Sequence, residues 1–294
     1  MIMPQKKHKP INLSFDDVLQ SIADENKPSL SESTARPFLK WAGGKRSILQ
    51  ELTDRMPKEY NGYYEIFLGG AALFFSIKPQ KAYLSDVNFH LILTFRAVRD
   101  DVERLITNLK IHASKHDNEY YTKSRQRLSK EKDPTKLGAL LIYLNKTCYN
   151  GLYRVNKSGE FNVPIGSYAS PAILDEDNLR LVSKALQGVE IMQHVFSQVK
   201  IEPKNFYYLD PPYHKTYDGY DSSRFGDKDH EELAAFCHKL DKTGCFFMVS
   251  NSDNDFVRKL YDGFNIEQVQ ASRFLSCKGD QRGKETELII RNYQ

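Results

Sequence analysis

The chain has 294 residues, 40% hydrophobic and 27% charged, which is enough apolar material for one large or two ordinary domains. Its apolar runs, such as Ala71–Phe75 and Ala139–Leu144, stop far short of the roughly 18 residues that span a bilayer, and the polar opening Gln5-Lys6-Lys7-His8-Lys9 is unlike a secretory leader. The formal charge of +4 excludes little by itself, whereas membrane and secreted roles are set aside and a reduced cytoplasm is expected.

Residues 1–36 read as an extension and linker. Asn12 to Ile22 supports one short amphipathic helix, with Ser14 as cap, Asp17 three residues later and Leu13 against Val18 as a staple. Asn26 to Thr34, rich in Ser with one Pro, is linker-like. From Pro37 the pattern becomes α/β. Ser47–Met56 predicts a helix ended by Pro57, and Tyr63–Phe67 is a short β-rich run that breaks into Leu68-Gly69-Gly70-Ala71-Ala72. Lys81–Asp86 predicts a second strand ending in an acid, and His90–Leu109 a helix. Strand, glycine turn, helix and acid-tipped strand form the skeleton of a Rossmann half.

The stretch 110–184 is mostly helical, with a Gly/Asn/Pro-rich insertion at Asn150–Ser170. It carries 13 Lys and Arg against 8 Asp and Glu, so it accounts for the whole positive excess. Tyr120, Tyr121, Tyr143, Tyr149, Tyr153 and Phe161 are interleaved with that charge. A solvated helical surface explains the charge; the aromatics favour a nucleic-acid face that stacks bases beside neutralised phosphates. Phe206–Asp210 then predicts a third strand with a terminal acid, Glu231–Leu240 a helix and Cys245–Ser250 a buried strand. Phe264–Gln270 and Glu287–Asn292 suggest a closing pair of strands. Ligands of such sheets bind beyond the carboxyl ends of the strands, where Glu65, Asp86 and Asp210 converge.

Phe38-Leu-Lys-Trp-Ala-Gly-Gly-Lys45 is close to a phosphate loop but fails it: Leu39 stands where the early glycine belongs, and Arg46 where Ser or Thr must follow the lysine. Cys148, Cys237, Cys245 and Cys277 show no paired spacing, so neither zinc nor a disulfide frame is expected. The sharpest signal is Asp210-Pro211-Pro212-Tyr213. Two prolines cannot continue a central strand, so a carboxylate, free carbonyls and an aromatic face meet at one strand end. That group suits a flat heterocycle bearing an exocyclic amine; a plain Pro-Pro stop is the bland alternative.

Six blocks in order resemble the Dam family of DNA adenine methyltransferases: Phe38–Lys45, Glu65–Ala71, Leu84–Asn88, Tyr149–Asn156, Gly159–Gly166 and Asp210–Tyr213. Ile66 departs from the family's Glu-Pro-Phe, and residues 1–36 have no counterpart. The resemblance implies an α/β, Rossmann-like fold of S-adenosylmethionine-dependent methyltransferases with an inserted helical target-recognition domain. It divides the chain into a catalytic domain at 37–109 and 185–294 and a target-recognition domain at 110–184.

It further implies S-adenosylmethionine as cofactor without a metal, double-stranded DNA as partner and a monomer. Trp41 and Lys45 hold the methionine end in that reading, Asp86 the ribose, and Glu65, Phe67 and Gly69 the wall near the sulfonium. Asp210 and Pro211 accept the adenine amine's hydrogens, with Pro212 shaping the turn and Tyr213 stacking on a flipped base. Tyr149 intercalates, Asn150 meets the orphan thymine, Arg154 reads guanine, Leu152 and Pro164 touch a thymine methyl and Lys40 contacts the outer guanine. Together these imply a GATC-type target. A cytosine or RNA amino methyltransferase, a silent DNA-binding scaffold and a nicotinamide dehydrogenase remain as alternatives. The first departs from the Asp-Pro-Pro-Tyr motif and its middle block, the second from the intact Asp210 and Lys45, and the last from the missing GxGxxG.

Overall fold

The computed structural model describes residues 34–214, 225–272 and 284–294, so the helix expected at 12–22 lies outside the described residues. Seven strands make one sheet: β1 (Tyr63–Glu65), β2 (Ala82–Asp86), β3 (Glu190–Gln193), β4 (Phe206–Leu209), β5 (Phe246–Ser252), β6 (Asn265–Ser272) and β7 (Lys284–Arg291). Their order is β3-β2-β1-β4-β5-β7-β6. The first five pair in parallel, and β7 runs antiparallel between β5 and β6. This is the Rossmann-like methyltransferase architecture that the sequence resemblance implied.

Parallel strands need both faces covered, which makes them hydrophobic at nearly every position. Accordingly β4 is buried throughout, with Phe206 and Tyr208 packing into one core and Tyr207 and Leu209 into the other. The first core is closed by α3 (Phe89–Asp100), α4 (Val102–Ser114), α6 (Pro134–Thr147) and α7 (Glu176–Ala185). The second is closed by α8 (Asp227–Lys242) and α9 (Asp255–Leu260). Three short helices complete the set: α1 (Leu49–Asp54), α2 (Ala72–Ile77) and α5 (Asn118–Arg127). Among the described residues no helix is long and apolar enough to cross a membrane.

Local chemistry explains the boundaries. Asp86 ends β2, its Oδ1 accepts from the Asn88 amide, and Asn88 in turn caps α3 by accepting from Leu91. The single helix expected over His90–Leu109 is two helices, because Asp101 takes a non-helical conformation (φ −151°, ψ 58°) between α3 and α4. Strand β3 had no clear signal: only Ile191 of its four residues is buried, as befits an edge strand. Helix α9, capped by Asn254, was also unforeseen.

Helix α6 is buried on nearly all sides and lies across α3 and α4. Gly138 makes that crossing close, since a Cβ there would stand 3.1 Å from both Ala97 Cβ and Leu105 Cδ1. Gly138→Leu is therefore expected to destabilise the fold by about 1–3 kcal/mol through overpacking. Urea unfolding of the variant beside the parent measures it, and an unchanged midpoint would mean the crossing has slack.

Candidate active site

Chain order reverses between β1 and β4: β2 and β3 lie on one side, β4 and β5 on the other. A crevice opens at the carboxyl ends of strands at such a switch point. Glu65 closes β1, and Asp210 follows β4 directly. A short 3-10 turn (Lys45–Ile48) brings Lys45 into the crevice, where its side chain is buried. Its Nζ lies 2.9 Å from Asp210 Oδ1, donates to the Gly43 carbonyl at 2.8 Å, and sits 4.7 Å from the centre of the Tyr213 ring.

Burial pushes the Asp210 carboxyl up to about 6, with the Lys45 charge pulling the other way and Glu287 adding to the rise. Glu65 goes further, to about 8, again chiefly through burial and with Asp210 contributing. Its Oε2 accepts from the Tyr63 hydroxyl at 2.7 Å and from the Phe74 amide at 3.2 Å. Of the two adjacent carboxyls, then, Asp210 is the ionised one at neutral pH and Glu65 the one that keeps its proton. Burial raises both, and the Lys45 ammonium lowers Asp210.

The two prolines end β4 at Leu209. Pro211 is buried, Pro212 exposed, and among the described residues no donor reaches the Pro211 carbonyl. Tyr213 donates its hydroxyl to Glu287 Oε2 at 2.6 Å. Beyond it, the Ser252 hydroxyl donates to the His214 carbonyl at 3.1 Å, which fixes the exit of the turn. A carboxylate, a carbonyl and a held aromatic ring thus come together at one strand end.

On the β2 side, Gly69 has a left-handed backbone (φ +47°), and its amide donates to Asp86 Oδ2 at 3.2 Å. A Cβ on Gly69 would fall 2.9 Å from Trp41 Cδ1, so the glycine lets the indole lie against the turn. Burial raises the Asp86 carboxyl while the backbone donors of Asn88, Gly69 and Val87 oppose that rise. Phe67 joins Phe196 and Phe225 in an aromatic cluster, with ring centres 6.2 and 5.7 Å away.

The remaining candidates share one loop system. Cys148 pairs with Ile165 and Val155 with Phe161, so the blocks around Tyr149–Arg154 and Pro164 form two sides of an irregular hairpin. The Tyr149 amide donates to the Pro164 carbonyl, and the Tyr149 ring projects 44% exposed. Asn150 is left-handed (φ 53°) and Leu152 half-buried. Arg154 is exposed and gives Nε and Nη2 hydrogens to Asn162. The opposite edge of its guanidinium, made by the two terminal nitrogens, keeps donors for another partner. Lys40 reaches the Tyr168 hydroxyl at 3.3 Å.

Three contributors escaped sequence reasoning, and a fourth, Tyr153, entered it only as one of the interleaved aromatics. Glu287 is a buried acid of strand β7, where Lys284-Glu-Thr-Glu287 precedes three aliphatic residues, and nothing in that polar stretch marks it out from Glu285. Asn162 aims Arg154. Buried Asn145 accepts from the Lys40 amide and donates to the carbonyls of Lys40 and Gly151, all at 2.8 Å. Tyr153 stacks on Trp41 (5.5 Å, 26°), and its hydroxyl lies 2.8 Å from His90 Nδ1.

Comparison with known proteins bears on this arrangement. The family profile "D12 class N6 adenine-specific DNA methyltransferase" matches residues 41–274. The chain is 45% identical to the Type II methyltransferase M.MjaIII of Methanocaldococcus jannaschii, over 88% of this chain and 99% of that protein. It is 37% identical to the Type II methyltransferase M1.LlaDCHI of Lactococcus lactis subsp. cremoris, over 88% and 95%. It is 31% identical to the DNA adenine methylase of Haemophilus influenzae, over 90% and 94%.

The Glu65 carboxyl gives a test of the site's electrostatics. A group that binds its proton more tightly when folded stabilises fully at low pH and loses that contribution as pH rises through its folded value, here about 8. Glu65→Gln mimics the neutral form throughout. Between about pH 5 and about pH 9 the parent should lose a few kcal/mol relative to this variant. Urea midpoints at the two pH values check it; parallel behaviour would return Glu65 to the ordinary carboxylate range.

Proposed function

Because the chain belongs to the D12 class N6 adenine-specific DNA methyltransferases and is a DNA adenine methyltransferase, we propose that it takes methyl from S-adenosylmethionine and places it on a flipped adenine in a GATC-type site. The observation that carries this reading is the half-buried Asp210, ionised beside buried Lys45 at the same strand end as the Pro211 carbonyl and Tyr213.

The crevice fits the donor. Asp86 uses two of its acceptor sites on the amides of Gly69 and Asn88, which leaves others for a pair of ribose hydroxyls. Phe67 and its aromatic neighbours suit a purine, and Gly69 leaves the turn open to close approach. Trp41 and Lys45 border the methionine end, and Glu65 lines the wall between them. When bound, S-adenosylmethionine supplies an electrophilic methyl group.

What the protein adds is acceptors and position. The amine of adenine is a poor nucleophile because its lone pair is delocalised into the ring. Asp210 and the Pro211 carbonyl accept its two N–H groups and favour a nitrogen that keeps its lone pair. Tyr213, tethered to Glu287, presents a face for the base. Holding the reactants in line is the main source of rate, so no enzyme nucleophile is needed. Extruding the base costs a few kcal/mol, and stacking on Tyr213 returns about 1–3 kcal/mol. The two are comparable, which gives exposed Tyr149 its role as the ring that fills the gap, with Asn150 at the orphan base. Leu152, Pro164 and Lys40 complete the reading surface, and the chain acts as a monomer on each strand. The Type II names of two relatives fit a place in a restriction–modification pair.

Mapping modified bases on DNA treated with the purified protein tests base and context together; methyl on cytosine, or none, overturns the reading. Asp210→Ala should bind the cofactor with little loss and transfer almost no methyl, as measured by calorimetry beside single-turnover methylation. Substantial residual turnover would remove the role assigned to Asp210.

Arg154 decides target choice. If its free edge grips guanine, Arg154→Ala should relax preference at one position by about 1–3 kcal/mol while methylation of altered sites persists. Methylation rates on duplexes varied one base pair at a time measure this. A uniform fall across sequences, with a salt slope flatter by about one unit, would make it a phosphate contact.

A further inference from the structure

We propose that Tyr153 is a positioning residue through which target DNA and the methyl donor bind with positive coupling, each tightening the other. The inference rests on the functional reading above, since it needs the loop that bears Arg154 to meet DNA and Trp41 to border the donor.

Two segments far apart in the chain are fastened side by side. Asn145, 2% exposed, ties the backbone of Lys40 to the carbonyl of Gly151 through three hydrogen bonds of 2.8 Å. Two residues beyond Gly151, the Tyr153 ring lies on the Trp41 indole. Elsewhere along the indole is Gly69, whose missing side chain lets Trp41 reach the turn that hydrogen-bonds Asp86. A continuous stack thus runs from the recognition hairpin, through Tyr153 and Trp41, to the acid-tipped end of β2.

Tyr153 is also held at its far end. Its hydroxyl lies 2.8 Å from His90 Nδ1 on α3, the helix that starts immediately after Asp86 and Asn88. Burial lowers the His90 imidazole, so at neutral pH the ring is uncharged and the contact is a hydrogen bond between neutral groups. Phe161, across the hairpin, packs edge-on against the same ring at 5.9 Å. Arg154 and its partner Asn162 flank Tyr153 and Phe161 in sequence, so whatever seats the guanidinium on DNA also sets the ring against Trp41. A loop ordered by one ligand presents a finished wall to the other, and the coupling must be reciprocal.

Trp41 is the only tryptophan of the chain, so its emission reports on this stack directly. The probe is S-adenosylhomocysteine, titrated with and without a short duplex carrying the site mapped for the wild-type protein. In wild type the duplex should lower the Kd of the probe about tenfold, and the probe should lower the Kd of the duplex by the same factor. In Tyr153→Ala both factors should fall to within about twofold of unity, while Tyr153→Phe, which keeps the ring, retains them. Tyr153→Leu, which fills the space without an aromatic face, should behave as the alanine variant and serves if the latter does not fold. Wild-type coupling in Tyr153→Ala or Tyr153→Leu overturns the inference. So does a loss of probe affinity that is equal with and without DNA, which would make Tyr153 a passive wall, or lost coupling in Tyr153→Phe. Failure of the wild-type protein to bind the probe at all would instead overturn the functional reading on which the inference stands.

Discussion

One ion pair, buried Lys45 with half-buried Asp210, sets the terms for the rest of the molecule. The sheet delivers two carboxyls to neighbouring strand ends, and burial raises both, to about 6 for Asp210 and about 8 for Glu65. Only one has a cation beside it. The ammonium keeps Asp210 ionised in the neutral range, and Glu65 stays neutral because burial outweighs the two donors, the Tyr63 hydroxyl and the Phe74 amide, that favour its charged form. Such a pair is poor evidence for stability, because desolvation offsets most of its attraction. Its value lies in keeping an acceptor charged at a place where a carboxyl left alone would not be.

The antiparallel tail of the sheet serves the same centre. Strand β7 inserts beside β5, and its register sets Glu287 opposite Ser252. From there the buried Glu287 accepts the Tyr213 hydroxyl, while Ser252 holds the His214 carbonyl. The turn after β4 is therefore gripped by the two neighbouring strands and not by its own prolines alone. Prolines stop a strand, but they do not aim the ring that follows.

Much of this was legible in the sequence, and the parts that were not share a reason. Acid-tipped strands, the glycine turn and the Asp-Pro-Pro-Tyr block each carry their signal in a few adjacent residues, and the architecture followed from them. Edge strand β3, with one buried residue, has no periodicity to detect. The break at Asp101 depends on how α3 and α4 pack and leaves only a pair of acids as a trace. Asn145, Tyr153, Asn162 and Glu287 act across the fold, on partners 105, 112, 8 and 74 residues distant for Lys40, Trp41, Arg154 and Tyr213 respectively. Of these, Asn145 has an ordinary sequence context in the last turn of α6, and nothing local separates it from a solvent-facing amide. Helix α6, in the middle block, packs against α3 and α4 of the preceding segment.

The dipeptide Lys40-Trp41 joins two distant loops in one short stretch. It lies between two left-handed glycines, Gly69 at φ +47° and Gly151 at φ +65°. A Cβ on the first would stand 2.9 Å from Trp41 Cδ1, and one on the second 2.5 Å from Lys40 Cδ and 2.6 Å from Lys40 Cβ. Each glycine therefore does two things, supplying a backbone conformation that side chains resist and vacating the space its neighbour fills. One belongs to the turn after β1 and the other to the hairpin bridged by Cys148 and Ile165. Neither end of the dipeptide can shift without disturbing both, and the indole, closed in by Tyr153 on its other side, has little room to move independently. Such a common spine fixes the turn after β1 and the hairpin relative to each other, so that the two walls it joins are set before any ligand arrives.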